Sequence, residues 1–390
     1  MVNTGKKLKV ALVHDHLTQF GGAERVLFAL HALFPSAPIY TLFYDQAIID
    51  MYFAGADIRT SFLQKFPRIL RKRFRYIAPL AVSAVENLDV RSFDLVISSS
   101  AFFAKGVITS PESIHICYCH TPTKYLWDRG EILEKDASPV KNFFNYSAAH
   151  VLRLWDFNAA ARVDYFIANS RNVKQRIKKY YGKDAFVVYP PAGIKALEMG
   201  TKADPLAKNS IISHLPDNFY FIAAHLNRHK SLDLAVNVFS KLRYPLVIAG
   251  EGPERGRLKA LAGKGTIFLG AVPDNIIREC YARCRALIHP GEEDFGISII
   301  EAQLYGKPVL ALGAGGARES IIEGVTGEFF YEKDPAHLAD GLRRLNENYK
   351  NYNPQLIRAN ASRFNEERFA EEFRRVLKRI LAYEWAAQRN

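Results

Sequence analysis

The sequence is poor in several features that would set it apart from ordinary globular proteins. Only 4 of its 390 residues are cysteine, at Cys117, Cys119, Cys280 and Cys284. That is too few to staple so long a chain, so a disulfide framework is excluded and reduced, buried thiols in a reducing compartment are expected. The longest apolar stretches, such as Val10 to Val13 or the neighbourhood of Ala223 and Ala224, fall far short of the ~20 residues that a bilayer-spanning helix requires. Lys6, Lys7 and Lys9 precede a short apolar run that ends at His14 and Asp15, which lacks the h-region of a secretory signal, and a cytoplasmic location is expected. Low-complexity stretches and internal repeats are missing, which removes disordered and fibrous classes. There is no D-x-D motif of the kind that would hold a divalent cation.

What is present describes a large folded protein. Apolar residues make up 48% and charged residues 24%, with 24 Gly and 18 Pro. A chain of this length suits two domains of roughly 150–200 residues each. Lys and Arg number 53 against 40 Asp and Glu, for a net charge of +13. An anionic partner follows, whether a phosphorylated ligand, nucleic acid or an acidic membrane surface.

Short β-branched runs alternate with segments of helical spacing, the pattern of a parallel α/β sheet covered on both faces. The first half offers Lys9 to His14, Ile39 to Phe43, Leu95 to Ser98, His115 to Cys119, Tyr165 to Ala168 and Val187 to Tyr189. The second offers Tyr220 to Ala224, Leu246 to Ala249, Thr266 to Leu269, Ala286 to His289, Val309 to Leu312 and Glu328 to Tyr331. The fold class is therefore α/β, two Rossmann-like doubly wound domains facing a central cleft. Pro190, Pro191, Gly193, Gly200, Pro205 and Pro216 mark an irregular connection, which sets the expected boundaries at 1–195, a linker at 196–216, and 217–372. Apolar residues at helical spacing between Glu366 and Trp385 predict a long last helix. Its part from about 373 to 390 is expected to pack back on the first domain.

The strongest chemical signal is the run from His289 to Pro308, HPGEEDFGISIIEAQLYGKP. It reads as a strand end, an acidic loop and a helix opened by Phe295-Gly296. Gly296 permits close backbone approach, and the amides of Ile297 and Ser298 at the helix start favour a diphosphate. Glu301, separated from Glu293 by seven residues and a turn inside the helix, suits a vicinal diol such as that of ribose. Glu293, in the loop, suits the hydroxyls of a second ring.

This arrangement resembles the signature of retaining glycosyltransferases of family four, which have the GT-B fold. The resemblance extends over nearly the whole chain. It implies that Glu301 binds the nucleotide ribose and Glu293 the donor sugar, with Phe295, Gly296, Ile297 and Ser298 completing the donor site. Gly21 and Gly22 resemble the family's glycine loop beside the donor diphosphate. His120, in CYCHTPTKYLWD, looks like the family's His near the reacting sugar, so His120 and Glu293 are the expected catalytic residues. Cys117, Cys119 and His120 could suggest a metal, but three ligands within four residues of an extended strand alternate in direction. In AHLNRHKSLD, Lys230 matches the Lys that neutralises donor phosphates, His225 stands where an Arg is usual, and Arg228 lies three residues on. A neutral imidazole offers one hydrogen bond where a guanidinium offers a charged fork.

The resemblance is closest to bacterial mannosyltransferases that build O-antigen or other surface polysaccharide from GDP-mannose on lipid-linked or saccharide acceptors. It implies a first domain on the acceptor side and a second that binds the donor, with no metal or other cofactor because cationic side chains and helix termini take the leaving diphosphate. A UDP-sugar-dependent transferase of the same fold and a catalytically degenerate sugar-nucleotide-binding protein are the alternatives. A hydrolase would need its two carboxyls to face each other across a glycosidic bond, and an epimerase would need extra acid and base carboxylates. Finally, Lys65, Arg68, Arg71, Lys72, Arg73 and Arg75 are interleaved with aromatics and no acid. That composition suits the anionic inner face of the cytoplasmic membrane, and without a recognised module nucleic acid is not expected.

Overall fold

The structure, a computed structural model, describes residues 8–68, 71, 78–128, 139–192 and 213–387. The chain divides into two compact units, one of Met1–Pro191 with Glu366–Asn390 and the other of Ala192–Asn365. Pro190 and Pro191 close the first stretch, and 193–212, where much of the expected linker falls, lie outside the described residues.

The first unit is built on a seven-stranded sheet of β1 (Val10–His14), β2 (Ile39–Thr41), β3 (Ile58–Thr60), β4 (Leu95–Ser100), β5 (Ile114–Cys119), β6 (Tyr165–Ala168) and β7 (Ala185–Val187), in the order β3-β2-β1-β4-β5-β6-β7. Every pairing is parallel. The two-residue period of a strand sends alternate side chains into separate cores. Leu12, Ile97 and Ile116 enter one, and Ala11, Val13 and Val96 enter the other. Helix α1 (Gly22–Leu33) covers the first face together with the C-terminal helix Glu366–Ala387, whose Phe369, Phe373 and Ile380 share the core of Leu12 and Ile97. Strand β3 has no counterpart in the sequence reading, because Ile-Arg-Thr is a three-residue edge strand with an exposed centre. The last strand lies at Ala185–Val187, two residues earlier than its apolar run suggests.

The second unit carries β8 (Tyr220–Ala223), β9 (Leu246–Ala249), β10 (Thr266–Gly270), β11 (Ala286–His289), β12 (Val309–Leu312) and β13 (Gly327–Phe330), in the order β10-β9-β8-β11-β12-β13. Each corresponds to an expected run. In both sheets the strand order reverses once, between β1 and β4 and between β8 and β11. Loops leaving the carboxyl ends of such a pair diverge to opposite faces and leave a crevice, where open α/β sheets hold ligands.

One buried polar network ties together several connections of the first unit. Asp156, in α2 (Pro139–Ala161), pairs with Lys105 Nζ at 2.6 Å, and both side chains are essentially inaccessible. The carboxylate also accepts from Thr123 Oγ1 at 2.7 Å, Trp127 Nε1 at 2.8 Å and, at 2.7 Å, Oη of Tyr181 at the end of α3 (Arg171–Tyr181). Burial pushes the Lys105 ammonium toward neutrality, but the Asp156 charge and hydrogen bond outweigh it and raise its pKa. Removing one partner leaves an uncompensated buried charge. Asp156→Ala is therefore expected to cost about 3–5 kcal/mol of unfolding free energy in urea titration.

His115, on β5, is fully buried with Nε2 2.9 Å from Ser98 Oγ. Burial, aided by the Arg162 charge, lowers its pKa from 6.5 to about 3. The unfolded chain then takes up a proton that the folded chain refuses, so stability falls as pH drops through this window. Urea titrations at pH 6.5 and pH 5 are expected to show a loss of roughly 2 kcal/mol from this group, reduced in His115→Gln.

Candidate functional site

In the second unit the expected donor residues gather at the reversal of the sheet. Strand β8 leads into a loop with a 3-10 turn over Arg228–Lys230, which feeds α4 (Leu232–Leu242). Strand β11 ends at His289, and the acidic loop after it feeds α6 (Ile297–Leu304). Lys230 Nζ and Glu293 Oε1 form an ion pair between the two loops. His289 is buried at the strand end, its Nε2 3.5 Å from Glu293 Oε1 and its Nδ1 3.5 Å from Ser298 Oγ. Four side chains thus converge at the start of α6, where the first amides of Ile297 and Ser298 have no acceptor within the helix. A cation and free amides at one helix start suit an anion.

Backbone contacts hold this loop. Gly296, the residue before α6, has φ +89, and a Cβ there would meet Ile299 Cδ1 at 2.8 Å. Gly315 has φ +60, and a Cβ there would lie 2.2 Å from the Glu293 carbonyl oxygen. The Gly316 amide donates to that same oxygen at 2.8 Å. The loop bearing Glu293 is therefore clamped against a second loop that tolerates no side chain. Glu301 is buried within α6 and accepts from Tyr281 Oη at 2.8 Å, with Tyr281 on α5 (Asp274–Arg283).

Other expected donor residues are placed differently. The Phe295 ring is buried and packs edge-on against Phe364 at 5.3 Å, so this residue offers a ligand its backbone rather than its ring. His225 and Arg228 are exposed, and neither side chain makes a hydrogen bond or ion pair among the described residues. Lys230 is the cation of this loop that reaches Glu293.

In the first unit the corresponding reversal gathers a different set. Gly21 precedes α1, which Gly22 opens, and the Gly21 amide donates to Glu24 Oε2 at 2.8 Å. Glu24 is buried, with Oε1 3.8 Å from His14 Nε2, an electrostatic contact rather than a formed hydrogen bond. Burial alone would raise the Glu24 carboxyl, but His14, His16 and a backbone amide overcome it and hold its pKa at about 2. His14 Nδ1 lies 3.2 Å from Ser99 Oγ, and Ser99 Oγ lies 2.8 Å from His120 Nε2. Burial, then the nearby His14 ring, lower the His120 pKa to about 4, against a smaller opposing effect of Asp15 and Glu24. His120 is therefore a neutral imidazole at neutral pH. Asp15 accepts four backbone amides, from Ala101, Phe102, Phe103 and Ala104, at 2.7–3.0 Å.

Sequence reasoning passed over His14, Ser99, His289 and Tyr281. The first three sit at the carboxyl ends of strands flanking a reversal, which the strand runs alone do not disclose because the sheet order is needed. Tyr281 looks like any aromatic on the inner face of a helix. Among the described residues no three His, Cys, Asp or Glu groups are arranged to hold a metal ion, and the four cysteines are free and buried. Arg68 pairs with Asp45 at 2.6 Å, Arg71 donates to the Tyr44 carbonyl at 2.7 Å, and Lys72, Arg73 and Arg75 lie outside the described residues. No described helix is long and apolar enough to cross a membrane.

Comparison with known proteins bears on the family and the fold. Residues 207–363 match the family model described as glycosyl transferases group 1. The alpha-1,3/1,6-mannosyltransferase ALG2 of Candida glabrata is 24% identical over 97% of this chain and 94% of its own length. O-antigen chain mannosyltransferase C of Escherichia coli is 24% identical over 47% of this chain and 52% of its own. The solved structure of Anabaena Alr3699/HepE in complex with UDP superposes with a TM-score of 0.66 at 19% identity, covering 95% of this chain and all of that one. Residues 207–363 form a glycosyl transferases group 1 domain, and the chain is a glycosyltransferase of the GT-B fold.

Proposed function

We propose that the protein transfers mannose from GDP-mannose to a lipid-linked or saccharide acceptor, with retention of anomeric configuration, in the synthesis of an O-antigen or other surface polysaccharide. The observation that carries this reading is the Lys230–Glu293–His289–Ser298 cluster at the amide-rich start of α6, within the matched domain. The names of the mannosyltransferase relatives supply the sugar. Lys230 and the Ile297 and Ser298 amides would take the donor diphosphate, with exposed His225 and Arg228 as further cations or donors. Glu301 would hold the ribose diol, and Glu293 and His120 are assigned to the sugar. The bond from the anomeric carbon to the diphosphate breaks, the acceptor oxygen bonds to the same face, and its proton passes to the departing diphosphate. Side-chain cations and helix amides would serve in place of a metal, and no other cofactor is proposed. The basic segment around Lys65 to Arg75 is proposed to meet the anionic inner face of the cytoplasmic membrane.

The UDP bound by the HepE neighbour keeps a UDP-sugar donor as the second reading. Calorimetric titration with GDP, UDP and their sugar conjugates separates the two. Preferential binding of GDP-mannose is expected. Preference for a UDP-sugar would replace the donor, and binding of neither would overturn both readings and leave a degenerate, noncatalytic family member. Glu301→Ala is expected to weaken donor binding by roughly 10- to 100-fold, the loss of a charge-assisted hydrogen bond. Undiminished binding would remove the ribose role.

A further inference from the structure

The register of the first sheet places His14 of β1 beside Ser99 of β4, and His120 follows the end of β5, Cys119, which is registered to Ser100 of β4. The three side chains form a file, His14 Nδ1 to Ser99 Oγ at 3.2 Å and Ser99 Oγ to His120 Nε2 at 2.8 Å. Glu24 closes the far end beside His14 Nε2 and is itself held by the Gly21 amide. All four are buried.

A hydroxyl between two imidazoles has one proton to give, so the file has a direction. The Glu24 carboxylate faces His14 Nε2 and favours the proton on that nitrogen, since a bare nitrogen would set two acceptors against each other. With the His14 ring neutral, Nδ1 is then the lone pair that accepts from the Ser99 hydroxyl. The Ser99 oxygen in turn accepts from His120 Nε2–H, and His120 Nδ1 is left as a bare acceptor. That nitrogen has no hydrogen-bond partner among the described residues. The other titratable groups facing the ring do not compete for this role. Both Asp15 oxygens are occupied by backbone amides. Tyr118 presents its ring at 5.3 Å and donates its hydroxyl proton to the Val188 carbonyl at 2.8 Å.

We propose that Ser99, His14 and Glu24 are positioning residues that fix His120 in its Nε2-protonated tautomer, so that Nδ1 presents a lone pair to a donor-sugar hydroxyl. The glycine loop, through Gly21 and Glu24, thereby sets the hydrogen-bonding polarity of a side chain that follows another strand. The tautomer claim stands on this geometry alone, and its effect on transfer rests on the assignment of His120 to the donor sugar.

Long-range proton–nitrogen correlation spectra of the full chain labelled at its 11 histidines, assigned with His120→Gln, read the tautomer directly. His120 is expected on Nε2–H at neutral pH, and Ser99→Ala is expected to convert it to a mixture of both tautomers. In transfer assays Ser99→Ala should lower kcat by about 10- to 100-fold, the range for losing an outer partner that orients a functional histidine. The donor KM should change less than about twofold, because groups that bind the nucleotide are untouched. Ser99→Thr, which keeps the hydroxyl, should restore both readouts. An Nδ1–H tautomer in the unsubstituted protein, or a tautomer unchanged by Ser99→Ala, would overturn the proposal. If the tautomer shifts as expected while Ser99→Ala and His120→Ala both leave transfer intact, the positioning claim holds and the sugar-contact assignment of His120 fails.

Discussion

The reversal of strand order is the constraint from which both polar clusters follow. A parallel sheet whose order turns back on itself sends two adjacent loops to opposite faces, and the ground between them cannot be filled by either connection. In the second unit this ground lies beyond β8 and β11, and the Lys230 and Glu293 loops leave from those two strands. In the first it lies beyond β1 and β4, where His14 and Ser99 are registered neighbours. Polar and charged groups collect there because no core covers the strand ends, while the strand middles of both sheets are apolar on both faces.

Backbone packing fixes the clusters once topology has located them. The Glu293 carbonyl accepts from the Gly316 amide, and the Gly315 position leaves no space for a Cβ. A loop held through its main chain fixes where the Glu293 side chain starts, and from there it meets Lys230. Glu301 is held differently, by the Tyr281 hydroxyl inside the fold, which orients its carboxylate. Pre-organisation of this kind favours binding because less ordering remains to be done on association.

Much of this was readable from the residues. The strand runs gave the two α/β halves, and the spacing of Glu293, Gly296 and Glu301 located the loop and helix, because each signal is local. The resemblance of that loop to family four glycosyltransferases is matched by the group 1 domain over 207–363. What escaped the sequence depended on non-local pairing. Ser99 is one of three consecutive serines on β4 and is distinguished only by its neighbours on β1 and after β5. His289 reads as a strand terminus until Glu293 folds back over it. Strand β3 has too short an apolar pattern to announce itself, and Phe295 resembles a ligand-facing ring until Phe364 is seen against it.

The electrostatics of the two clusters suit different tasks. Cations and helix amides around Lys230 suit a diphosphate, whereas the buried, neutral His120 can take part in a hydrogen bond without adding charge. The proposed reaction is a same-face substitution by the acceptor. The most direct measurement is the anomeric configuration of the product made from GDP-mannose and a lipid-linked saccharide acceptor, read from the one-bond C1–H1 coupling by NMR. An α-linked mannoside is predicted, and a β-linked product would contradict the account.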